Sequence, residues 1–139
     1  MKLIVLLVPT FFTLLLNCSS RETEKIDMIR LHDIWALESI EGEKIYLDET
    51  VKNLPKIEIY VEEERVYGNT GCNSFNAKTD IDENKITFSN IIATEMACPG
   101  NLEQRFLSAI KSVDNYRIEK MRLLLFKEQV ETMVFRKID

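Results

Sequence analysis

The 139-residue sequence predicts a mainly β fold: an antiparallel curled sheet or partial barrel with a single amphipathic helix packed against it. Three observations lead there. Ile57, Ile59 and Val61 alternate with Glu58 and Tyr60, and Phe75, Ala77, Thr79 and Ile81 alternate again, which is the period-two burial of strands. Only one stretch, containing Leu102, Phe106, Ala109, Ile110 and Val113, repeats at helical spacing. Two apolar runs, Arg122 to Phe126 and Val130 to Phe135, end the chain around a Lys127-Glu128-Gln129 turn. A helix with one apolar face must cover something, and a curled sheet supplies the surface.

The chain opens with Met1 and Lys2, followed by an apolar run from Leu3 to Leu16. A positive start and a short apolar stretch are the layout of a signal peptide, here residues 1–17. A membrane-spanning helix needs roughly 20 apolar residues, and this run is shorter and holds Pro9. Leu15-Leu16-Asn17-Cys18 resembles the bacterial lipobox, with Asn17 standing where that pattern prefers a small residue. The resemblance implies lipidation of Cys18, cleavage before it and attachment to a membrane through the lipid. Several acyl chains, at about 0.8 kcal/mol per buried methylene, make such an anchor effectively permanent. The competing reading is a soluble exported protein with an incidental Cys18. Ser19 resembles the signal for outer-membrane rather than inner-membrane delivery in bacteria with two membranes.

Residues 18–32 mix charged and small polar side chains, as a flexible tether does. The folded domain is expected over residues 33–139, a size at which one core forms without metals or many crosslinks. Its first strand is Ile34 to Ser39, holding the only tryptophan, Trp35. Glu62-Glu63-Glu64 makes a polar turn into a strand from Arg65 to Thr70, and Asp82-Glu83-Asn84 leads into Ile86-Thr87-Phe88. Asn84 is the residue expected to take the left-handed conformation of that hairpin. Asn101 caps the helix, with Gln104 completing a capping box.

The formal net charge of −5 and the scattered basic residues argue against nucleic-acid binding. No metal or cofactor set is visible: Cys72 and Cys98 belong to no Cys-x-x-Cys pair, and one histidine cannot complete a tetrahedral site. Cys72, Asn73 and His32 superficially offer a thiol nucleophile, an orienting amide and a base. His32 falls at the edge of the tether, however, and a structural cysteine is the preferred reading, so no catalytic residue is assigned. Gly71-Cys72-Asn73 reads as a turn or bulge in which Gly71 takes a positive φ and Asn73 bonds to nearby backbone, with a binding loop as the rival. The three glutamates suit a solvated hairpin tip rather than a calcium site. Trp35, Phe75, Phe88, Phe106 and Phe135 are read as core, or as the lining of a ligand cavity.

Export places Cys72 and Cys98 in an oxidising compartment, and lipidation of Cys18 leaves only these two thiols, so a disulfide between them is expected. Two buried free thiols are the alternative.

Trp35, then Gly68-Asn69-Thr70-Gly71-Cys72-Asn73-Ser74-Phe75, then Thr94-Glu95-Met96-Ala97-Cys98-Pro99 before the helix, form an ordered set. This set resembles the META domain, also called the HslJ-like domain, over nearly all of the expected folded part. Ala77 departs from it, where the family often has glycine. The resemblance implies a compact β structure with one helix, common in envelope lipoproteins, with some relatives named as heat-shock proteins. It implies no established enzymatic activity. The expected function is therefore a non-enzymatic envelope or stress module with a protein partner. The alternative is a small β-barrel that binds an apolar ligand or inhibits a wall-directed hydrolase.

Overall fold

The computed structural model describes residues 28–138; the signal segment, Cys18 and most of the expected tether lie outside them. Nine antiparallel strands follow one another: β1 (Ile34–Ile40), β2 (Glu43–Lys44), β3 (Lys56–Tyr60), β4 (Arg65–Asn69), β5 (Ser74–Asp82), β6 (Lys85–Ala93), β7 (Asn115–Glu119), β8 (Arg122–Lys127) and β9 (Val130–Lys137). The helix α1 (Leu102–Ser112) connects β6 to β7. Each strand from β3 onward pairs with the next, and β1 pairs with both β3 and β9, so the hydrogen bonding returns on itself in one curled sheet. The ring is not a regular barrel. Its weakest seam joins β6 to β7 through Lys85 opposite Asn115 alone.

Curling comes from interruptions of register. The β5–β6 ladder shifts between Asn76 and Lys78, around Ala77, and Asn90 on the facing strand has φ 50°. Similar shifts fall between Leu37 and Ser39 on β1 and between Leu125 and Phe126 on β8. An extra residue on one strand bends it and increases its twist, which brings distant strands into reach. The extra residue lies on β6, where Asn90 and Ile91 together face Ala77.

Alternation along the strands sends one set of side chains inward. Trp35, Leu37, Ile57, Ile59, Val66, Phe75, Ile86, Leu123, Leu125 and Phe135 are all buried there. From α1, Phe106, Ala109 and Ile110 complete the core. Phe106 lies edge-on between Phe75 and Phe135, with ring centroids 5.6 and 6.3 Å away, so a single side chain joins the helix to both halves of the sheet. The five aromatics read as core are all buried.

Several local expectations are corrected. Residues 28–31 are helical and Leu31 is fully buried, with the Trp35 indole N–H donating to its carbonyl at 3.1 Å. The end of the expected tether is thus part of the fold, because a large apolar side chain gains more from the core than from solvent. Glu83 (φ 54°), not Asn84, takes the left-handed position in the β5–β6 turn. Asn101 precedes α1 but makes no capping bond through its side chain, and the capping box with Gln104 is not formed. Strand β7 was not expected. Its signal is short, with only Tyr116 and Ile118 buried among polar neighbours.

Candidate functional site

The motif residues that stand apart in the sequence converge at the β4–β5 turn and at residues 94–101, which lead into α1. Gly71 has φ 92°, and a Cβ there would lie 2.6 Å from the Asn53 carbonyl oxygen, so both the backbone turn and the close approach of the 45–55 loop require glycine. Its N–H donates to Asn69 Oδ1 at 3.0 Å. The turn is closed by Thr70 N–H donating to the Asn73 carbonyl at 2.8 Å and by Asn73 N–H donating to Thr70 Oγ1 at 3.0 Å.

Asn73 is fully buried and is the hub of the cluster. Its Oδ1 accepts from the Thr94 hydroxyl at 2.7 Å and from the Met96 N–H at 2.8 Å. Its Nδ2 donates to the Met96 carbonyl at 3.0 Å and to the Glu103 carboxylate at 2.9 Å, and lies 3.1 Å from Cys98 Sγ. Thr70 Oγ1 donates to Glu103 Oε2 at 2.5 Å. A buried amide costs several kcal/mol when unsatisfied, and here two donors and two acceptors are all engaged. Cys72 and Cys98 stand beside it at disulfide-bonding distance, with Cα atoms 6.0 Å apart.

The structure therefore brings together Gly71, Cys72, Asn73, Thr94, Met96 and Cys98. Trp35 sits separately in the core, and the Met96 side chain is exposed although its backbone is held. Cys18 lies outside the described residues. His32 stacks edge-on against Tyr60, with centroids 5.2 Å apart, and makes no described contact with the cysteines. The two sulfurs stand at disulfide-bonding distance and the Asn73 amide is fully engaged by its neighbours. No group of three or more His, Cys, Asp or Glu among the described residues is arranged to hold a metal ion.

Sequence reading missed Thr70 and Glu103. Glu103 falls in the first turn of α1, where a carboxylate is ordinarily explained by the helix dipole, so nothing in the linear pattern marked it as a partner of Asn73.

Among the described residues, surface grooves flank the helix. One, of about 730 Å³, runs between α1 and the β8–β9 turn, with Arg105, Ser108, Lys127 and Glu131 among its lining. Another, of about 240 Å³, lies over the paired cysteines and includes Lys52, Thr70, Pro99 and Glu103. Titration is perturbed elsewhere on the surface. The Asp48 carboxyl is held below its ordinary value by the Val51 N–H and then by the Thr50 hydroxyl and N–H. The Tyr60 hydroxyl is pushed up, chiefly by donating to Glu58 at 2.6 Å.

The META domain profile matches residues 29–139. This chain belongs to the META domain family. No curated protein matches it. Among solved structures, a protein from Burkholderia xenovorans determined by NMR superimposes with a TM-score of 0.63 at 15% identity, covering 96% of this chain and 99% of its own. A second NMR structure gives a TM-score of 0.59 at 21% identity, covering 77% and 90%. A crystal structure of a DUF4847 family protein from Bacteroides vulgatus gives 0.52 at 14% identity, covering 82% and 99%. At these identities the likeness to solved structures concerns the META fold alone. The match begins at Ile29, which agrees with the burial of Leu31.

Proposed function

We propose that this META domain is a non-catalytic binding module of the bacterial cell envelope, carried on a lipid at Cys18. The observation that supports it best is the use made of the motif residues. Gly71, Asn73, Thr94 and Met96, together with Glu103, are spent on one another, as parts of a scaffold rather than of a reactive centre. The lipid and the export step rest on the signal-like start and on Cys18 in the sequence, with Ser19 favouring the outer of two membranes. Binding then falls to the outer surface, where a protein partner is the reading taken, in keeping with the stress link that the family suggests. Against an apolar ligand inside the sheet stands the close packing of Phe106 against Phe75 and Phe135 in the core.

Mass spectrometry of the protein taken from its native membrane tests the anchor. The expected N-terminus is an acylated Cys18, and a mature form starting elsewhere rejects it. Photo-crosslinking from the α1 groove in intact cells tests the module, with a discrete adduct to one envelope protein as the expected result. Absence of any adduct, together with turnover of a substrate lost in Asn73→Ala, would overturn the non-catalytic reading.

A further inference from the structure

The paired cysteines are placed unlike a buried staple. Both are half-buried, they line the 240 Å³ groove, and the segment that carries Cys98 runs across the surface with residues 94–97 exposed. Beyond Thr94, which donates its N–H to the Ser74 carbonyl, the hydrogen bonds described between this segment and the sheet end on the Asn73 side chain, through the N–H and carbonyl of Met96. Residues 95–100 therefore have two attachments to the sheet, one covalent and one through a single buried amide. The reduced state is also provided for, since Cys98 Sγ has the Met96 carbonyl 3.3 Å away and Glu103 Oε2 3.6 Å away, both acceptors for an S–H.

We propose that Cys72 and Cys98 form a thiol–disulfide exchange site, a latch that a small dithiol opens in the folded protein, leaving residues 95–100 held to the sheet by Asn73 alone. A thiolate of the dithiol attacks one cysteine sulfur, the bond between the two cysteines breaks, and the departing sulfur takes a proton from water. The second thiol of the reductant, deprotonated in turn, displaces the first cysteine, which is likewise protonated. The dithiol ends as its own disulfide, and two electrons and two protons have passed to the protein. A surface sulfur pair allows this without unfolding, whereas a pair locked in a core reacts only when the whole domain opens. The inference rests on the geometry of the site and not on the anchor at Cys18.

The test treats the folded wild-type protein with excess dithiothreitol, quenches with an alkylating reagent at intervals, and follows deuterium uptake in parallel. Alkylation of Cys72 and Cys98 is expected to rise with dithiol concentration and to outpace global unfolding measured on the same sample. Uptake across residues 95–100 should increase about tenfold or more while β3 and β4 amides stay unchanged. The oxidised Asn73→Ala variant should keep most of its protection there and lose it on reduction, and a Cys72→Ser, Cys98→Ser double variant should match the reduced wild type. Reduction no faster than global unfolding overturns the proposal, as does unchanged uptake across residues 95–100 after complete reduction.

Discussion

Asn73 shows how much one side chain can hold when it is buried with every polar group engaged. Removing it leaves the Met96 N–H and carbonyl, the Thr94 hydroxyl and the Glu103 carboxylate short of partners. Asn73→Ala should therefore lower stability by roughly 2–4 kcal/mol, read from urea denaturation, since each hydrogen bond is worth about 0.5–1.5 kcal/mol and several are lost together. Thr79 is the opposite case. Its hydroxyl is buried without a hydrogen-bond partner among the described residues, so Thr79→Val, which keeps the shape, should stabilise by about 1 kcal/mol. A midpoint unchanged or lowered in Thr79→Val would contradict that reading. Asp48 titrates below its usual 3.8 because the charged form accepts from Val51 and Thr50. Its contribution to stability is therefore present above the unfolded value and fades as pH falls through the lower folded value. An NMR titration of the Asp48 carboxyl should give a midpoint below 3.8, moving up in Thr50→Ala. The sequence made Asn73 and Gly71 legible, because turns favour these residues, but it could not reveal Glu103, whose role exists only once α1 has packed.

Elements announce themselves by period, and this chain is readable where the period runs long enough. Strand β5 and helix α1 each repeat their burial several times, whereas β7 offers two inward residues and β2 is only two residues long. The turns were less legible for a different reason. Glu41, Glu64, Glu83 and Lys120 all take positive φ, so the sheet's connections impose backbone conformations that their residue types do not signal. Gly68 is a case where the residue type does signal. A Cβ there would fall 2.2 Å from the Lys56 carbonyl oxygen and 2.8 Å from the Phe75 ring, both fixed by the β3–β4 ladder and the core. Gly68→Ala should cost on the order of 2–3 kcal/mol through forced displacement of β3 or the ring, and thermal unfolding will register it. Phe106→Ala should cost about 3–5 kcal/mol, because it removes the only ring joining α1 to both Phe75 and Phe135.

At the scale of the whole molecule, the closing contact joins the first long strand to the last. Trp35 faces Lys137 across the β1–β9 ladder, and the Ile138 N–H donates to the Ile34 carbonyl at 2.9 Å. Periodicity reveals the longer strands and the covering helix, but a closure between segments about a hundred residues apart leaves no local trace, and neither does the thin β6–β7 seam. Because β1 and β9 run antiparallel, the two ends of the domain leave the sheet side by side. Tension applied between them acts along the hydrogen bonds of that ladder and reaches the rungs one after another, beginning at Ile34 and Lys137. The molecule therefore has a direction in which it is mechanically soft. Pulled by its two termini in a force spectrometer, it should peel open at low load. Pulled between residue 34 and the β8–β9 turn, so that the rungs are sheared together, it should resist far more.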